Sequence, residues 1–213
     1  MTTPVATEPA APARPNSRPH PREGVPAASA WWLLLGGAIG LVASLTLTVE
    51  KIHLLGNPSY VPSCNLNPIL SCGSVMVTPE ASIMSVPNTL LGIVGFTVVM
   101  VTGVLALAKV ALPHWYWTGL TIGMLGGVAF VHWLIFQSLF RIGALCPYCA
   151  VVWVVTVSLL VVLASVAVRP ALGRAGTAAR LLHHWRWSIF VLWFTTVFLL
   201  IMVRFWDYWS TLR

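Results

Sequence analysis

Charged side chains are scarce in this chain: Asp, Glu, Lys and Arg make up 8% of its 213 residues, and only five of them are acidic. A soluble domain carries about 25% charged residues because its surface has to be hydrated. With 58% apolar residues and a mean hydropathy of +0.85, this chain has too little polar surface to face water. Lipid must be its main solvent. The net charge of +7 comes without any basic cluster, since the cations stand singly between apolar runs. That excludes a nucleic-acid face and suits membrane anchoring. A cleavable leader is excluded too. The polar stretch before the first apolar run is long, and that run ends Leu47-Thr48-Val49-Glu50 without a small-residue cleavage site.

Residues 1–30 hold seven prolines with Ala, Arg and Ser, and no apolar period. Such a segment cannot bury enough surface to offset its ordering entropy, so it reads as a disordered cytoplasmic tail. Five apolar segments follow, at 31–49, 86–108, 115–140, 144–168 and 187–203. About 20 residues of helix cross the hydrocarbon core, and backbone groups in lipid demand helix rather than open strand. Arg141, Gly143 and Pro147 divide the third segment from the fourth. The fold class is therefore all-α, with residues 31–213 forming one transmembrane domain. Trp31, Trp32, Trp115, Trp117, Trp185, Trp187, Trp206 and Trp209 lie near span ends, as an interfacial aromatic belt requires.

With the N-terminus inside, eight basic residues (Arg14, Arg18, Arg22, Lys109, Arg169, Arg174, Arg180, Arg186) fall on the inner side and four (Lys51, Arg141, Arg204, Arg213) on the outer. The positive-inside rule then favours a cytoplasmic N-terminus, with most of the weight on the 169–186 connection. The connection 50–85 is the one long loop. Loops of that length are often functional, and this one is expected to fold back over the bundle as a partial lid.

The four cysteines are Cys64 and Cys72 in that loop, and Cys146 and Cys149 in the third connection. Loops one and three of an alternating bundle share a side, which in this orientation is the oxidising, extracytoplasmic one. Cys146-Pro147-Tyr148-Cys149 is a C-x-x-C motif opening a helix. Its amides and dipole favour the reactive thiolate, and Pro147 suits the first helical turn. The pair reads as redox-active, with a static disulfide or half of a zinc site as the alternatives. Cys64 and Cys72 alone would read as a loop-closing disulfide; beside a C-x-x-C they read as a mobile shuttle.

Taken together, Cys64-x7-Cys72, Gly73-Ser74-Val75, Thr78, Pro87-Asn88-Thr89-x-x-Gly92 and Cys146-x-x-Cys149 resemble the vitamin K epoxide reductase (VKOR) family, above all its bacterial members, over residues 30–200. The disulfide-generating DsbB type is the nearest rival, but it carries its two cysteine pairs in the reverse order. The resemblance implies a four-helix bundle around a quinone, with a fifth helix outside and an extracytoplasmic loop lid, in a bacterial plasma membrane. It also implies that Cys146 and Cys149 are the catalytic pair, Cys149 nearest the quinone, that Cys72 exchanges with Cys146, and that Cys64 meets an external partner. Asn88 matches the family's quinone-hydrogen-bonding position, and Thr78 a loop Ser/Thr near its active site. By the residues alone, Asn88 also reads as an N-cap and Thr78 as a turn residue.

Two departures stand out. Trp153 occupies the place of a tyrosine four residues after the last cysteine in the family's vitamin K reductases, and an indole N–H donates a hydrogen bond but is no acid. No thioredoxin-like domain follows the fifth span, so the partner is expected to be a separate, DsbA-like protein of thioredoxin fold. The expected activity is reduction of menaquinone or ubiquinone without a metal, in support of disulfide formation in exported proteins. A thiolate metal-binding membrane protein is the alternative from another class, and a structural subunit with two inert bridges is a third. His132, about 15 Å from the outer end of its span, reads as a neutral interhelical histidine. Gln137, nearer that end, is placed to approach a quinone. Glu50 and Lys51 read as interface anchors.

Overall fold

The computed structural model describes residues 25–57, 59–83, 86–168 and 177–211. The expected tail up to residue 24 and positions 169–176 of the basic inner connection lie outside the described residues. Among the described residues, five helices are long and apolar enough to cross a membrane: α1 (Ala27–Gly56), α3 (Asn88–Leu107), α4 (His114–Phe136, continued by a π-helical Gln137–Ile142), α5 (Pro147–Val168) and α6 (Thr177–Arg204). The short α2 (Cys72–Met76) lies in the long loop, and α7 (Trp206–Ser210) follows α6. The number and helical nature of the spans are as expected. Their ends are not all so: α1 begins at Ala27 and runs to Gly56, so residues 27–30, expected in the tail, are helical. Ala27-Ala28-Ser29-Ala30 is a run of good helix formers, and Ala30 is fully buried.

Helices α1 and α3 approach until their backbones touch. A Cβ at Gly103 would stand 2.5 Å from the Leu34 amide nitrogen, and one at Gly37 would stand 2.7 Å from that of Met100. Small residues are how helices in lipid, where apolar burial supplies no drive, gain packing contact. Helix α5 is the central element, with Leu159 and Leu163 fully buried against Leu33, Phe96 and Val99. Helix α4 packs on α5, and a groove remains between α3 and α4. Helix α6 lies outside this four-helix bundle, with none of its spanning window buried. Two hydrogen bonds tie it to α4 and its continuation, Trp193 Nε1 donating to His132 Nε2 at 2.8 Å and Arg204 Nε to the Leu139 carbonyl at 3.0 Å, beside apolar packing of Trp193 and Ile201 on the cluster of Val131, Ile135 and Leu139. His132 is thus the interhelical histidine its position suggested.

Beyond α1 the chain turns back toward the helix it has left. Glu50 is only 7% exposed; its carboxylate accepts from the Tyr60 and Ser63 hydroxyls and from the Ser63 amide. Lys51 Nζ donates to the Met76 carbonyl and to Ser82 Oγ. These two residues tie the loop down rather than anchor α1 at the lipid interface, which corrects the sequence reading. A two-residue antiparallel pairing of Ser82–Ile83 with Val86–Pro87 closes the loop ahead of α3.

Candidate active site

The loop segment preceding α2 is built from short-range polar bonds. Asn67 Oδ1 accepts from the Ile69 and Leu70 amides, an Asx turn that an asparagine before a proline favours. Asn65 Oδ1 accepts from the Gly73 amide and from Ser71 Oγ. Ser71 caps α2 by accepting from the Ser74 amide. Two backbone bonds then join this segment to the residue before the C-x-x-C: the Leu145 amide donates to the Ile69 carbonyl at 2.7 Å, and the Ser71 amide donates to the Leu145 carbonyl at 2.9 Å. Loop one and loop three therefore meet as a single parallel bridge, Leu70 against Leu145.

That bridge sets the sulfurs. Cys64 and Cys72 are joined in a disulfide, whereas Cys146 and Cys149 are free thiols. Cys146 Sγ lies 3.2 Å from Cys72 Sγ, near enough for exchange without any movement of the loop. The expectation of a freely moving pair is not met in this state. Cys64 is 5% exposed and Cys72 fully buried, both packed with Leu47, Met76 and Cys146, because the Glu50 and Leu145 bonds hold the segment from both ends.

Cys146 occupies the position immediately before α5, with Pro147 as the first helical residue. Its sulfur receives the Cys149 amide at 3.4 Å. The Cys149 thiol, hydrogen-bonded to it, and then the amides of Cys149 and Tyr148 hold Cys146 below the usual thiol range, against the opposing effect of burial. A lowered thiol pKa makes both the thiolate nucleophile and a good leaving group available.

Cys149 faces the interior of the bundle. A chamber of about 80 Å³ is lined by Cys146, Cys149, Trp153, Asn88, Thr78, Gln137 and Lys51, among others. A groove of about 410 Å³ between α3 and α4 shares Asn88, Cys149 and Trp153 with it and runs along Gly92, Gly95, Gly119 and Gly123. All seven residues singled out from the sequence thus gather at one end of the bundle: four cysteines in a row, and Asn88, Thr78 and Trp153 around the chamber. Asn88 is the first residue of α3, one past the cap position, which Pro87 holds, and its Nδ2 donates to the Glu80 carbonyl at 2.7 Å. Thr78 Oγ1 donates to the Val75 carbonyl, so the turn role is observed and its hydroxyl hydrogen is engaged. Trp153 is 3% exposed. What sequence reasoning missed is the work of Glu50 and Lys51. The available signal was a lone acid–base pair inside a helix that stays helical for six more residues, since ionisable groups in apolar helices seldom lack a partner.

A nucleophilic thiol in contact with a disulfide can do one thing readily, which is exchange, and here it does so at the end of a lipid-embedded bundle. The chain is a membrane thiol–disulfide oxidoreductase by this geometry. It belongs to the vitamin K epoxide reductase family, whose family model matches residues 31–164. Comparison with curated proteins returned no match.

Proposed function

We propose that the protein reoxidises a separate DsbA-like partner of thioredoxin fold and delivers the electrons to a membrane quinone. The 3.2 Å approach of Cys146 to Cys72, with Cys149 opening on the chamber, carries this reading. The walls fit such a head group: their accessible surface is largely apolar, with polar side chains that include Asn88, Thr78, Thr89, Gln137 and Lys51 among the lining residues, the composition expected of a small-molecule site. A bound quinone, menaquinone or ubiquinone, supplies a two-electron, two-proton sink.

The protein's own steps follow from the sulfur order. A partner thiolate attacks Cys64, and Cys72 leaves as a thiolate; the partner's second thiol then resolves the mixed disulfide and departs oxidised. Cys72 attacks Cys146 of an oxidised Cys146–Cys149 pair and expels Cys149. Cys64 displaces Cys146 from Cys72, which restores the loop disulfide and leaves the Cys146/Cys149 dithiol. That combination is the one observed here. Oxidation of the dithiol at Cys149 completes the cycle. Buried Cys64 becomes reachable when the Glu50 bonds open, so the loop acts as a lid over the exchange. In this reading the residues before α1 are a cytoplasmic tail, the cysteines lie outside a bacterial plasma membrane, and no metal takes part.

The decisive experiment is quinone reduction by the purified protein with a reduced thioredoxin-fold donor. Cys149→Ala abolishes it, while Cys72→Ala mixed with the oxidised donor forms a Cys64–donor mixed disulfide, because the Cys64 thiolate opens the donor's disulfide and releases one donor thiolate. Quinone reduction that survives in Cys149→Ala would overturn the electron order.

A further inference from the structure

Helix α4 winds regularly to Phe136, then continues from Gln137 to Ile142 as π-helix. Gly143 ends it in the left-handed region (φ 69°), and Ser138 Oγ donates to the Ala144 carbonyl. A π-turn gives up regular hydrogen bonding to fit an extra residue, and such turns gather where a side chain has to be re-aimed at a functional site. The residue at which the winding changes is Gln137, in the wall of the chamber with Cys146, Cys149, Trp153 and Asn88. Its Oε1 is buried and accepts no hydrogen bond, and it is the one such side-chain atom among the described residues.

A buried acceptor without a donor is costly, so it persists where a ligand completes it. Two of its neighbours in the chamber direct a hydrogen elsewhere: the Thr78 hydroxyl donates to Val75, and the Asn88 amide donates to Glu80. An oxidised quinone brings only acceptor oxygens. A quinol brings hydroxyl donors.

We propose that Gln137 Oε1 accepts a hydrogen bond from a hydroxyl of the reduced quinone, so that the chamber tells quinol from quinone. This rests on the quinone reading above. In the reaction the Cys146/Cys149 dithiol becomes a disulfide, and its two electrons and two hydrogens convert both quinone oxygens to hydroxyls. One of those hydroxyls then faces Gln137, which favours the reduced form of the acceptor as it is made.

The test is Gln137→Met in the intact protein, a near-isosteric change that removes the acceptor. Short-chain ubiquinone serves as substrate and short-chain ubiquinol as product inhibitor. Loss of one neutral hydrogen bond should raise the quinol inhibition constant about five- to tenfold, a larger change than any in KM for quinone. Thermal stability without quinone should hold or rise, because an unsatisfied buried oxygen is gone. Reduction of Cys64–Cys72 by the dithiol donor should keep its wild-type rate. An unchanged inhibition constant overturns the proposal. So does a fall in stability with both ligands weakened equally, the mark of a merely structural side chain. As a check that needs no Gln137 variant, quinol should raise the melting temperature of non-turning-over Cys149→Ala more than quinone does; equal shifts also overturn the proposal. A wild-type protein that reduces no quinone brings down the quinone reading and this inference together, whereas active wild type with unaltered quinol inhibition in Gln137→Met removes the inference alone.

Discussion

Replacing Gly37 by alanine puts a methyl carbon 2.7 Å from the Met100 amide nitrogen and 2.8 Å from its Cα. Ordinary van der Waals contact begins at 3.4 Å, so α1 and α3 must part by about 3.4 − 2.7 = 0.7 Å at that level. The obstacle is backbone, which no rotamer change can relieve. Overpacking of this kind costs about 1–3 kcal/mol, against a gain of about 1 kcal/mol from replacing helical glycine by alanine. The net expectation is a loss of up to about 2 kcal/mol. Gly123 on α4 supplies the control, because nothing lies within 4 Å of a Cβ added there and the propensity gain stands alone. Thermal unfolding of the two variants in one detergent should give a lower melting temperature for Gly37→Ala and an equal or higher one for Gly123→Ala. The site reports the same geometry: α1 carries Leu47 and Lys51 and α3 carries Asn88, so prising these helices apart should also raise KM for quinone in Gly37→Ala. Shifts of the same sign in both variants, or an unperturbed Gly37→Ala protein, would refute the packing argument.

Removing the Cys149 thiol should act on Cys146 as well as on turnover. Its hydrogen bond is the largest influence lowering the Cys146 pKa, so in Cys149→Ala the pH profile for alkylation of Cys146 should move to higher pH; an unmoved midpoint would mean that the helix amides alone set the thiolate. Glu50→Ala frees the Ser63 hydroxyl and amide, and with about one net hydrogen bond lost a small dithiol should reduce Cys64–Cys72 about fivefold faster. If that rate does not change, the loop is held by something other than this carboxylate. His132→Phe deletes the bond from Trp193, an interhelical bond worth about 0.6 kcal/mol in a membrane. A slightly lower melting temperature with normal quinone reduction is expected, and impaired reduction would bring His132 into the chemistry.

Comparison of the Glu50 and Cys146 regions shows which features could be read in advance. The C-x-x-C pair announces itself by local spacing, and its place before α5 follows from Pro147 and the apolar run behind it. Glu50 does not announce itself. Its burial depends on Tyr60 and Ser63 returning across a loop, and nothing in the residues beside it encodes that return. Asn88 is a similar case: its position after a proline suggests a cap, and only the turn over Pro79–Ala81, which brings the Glu80 carbonyl to its amide, shows where that side chain is held. The end of α4 escaped the sequence reading because a π-turn adds one residue without altering the apolar pattern.

Composition and hydropathy by themselves determined that this chain lives in lipid as five helices, and that both cysteine pairs share one end of the bundle. Those properties depend on the preferences of neighbouring residues for hydrocarbon and for helix, and sequence order carries them. Only the tertiary structure decided which sulfur meets which. The contact between Cys72 and Cys146 spans 74 positions and rests on the paired backbone bonds of Leu145 with Ile69 and Ser71. Bonds between distant main-chain groups carry no side-chain signature, so they come into being only once the helices have packed.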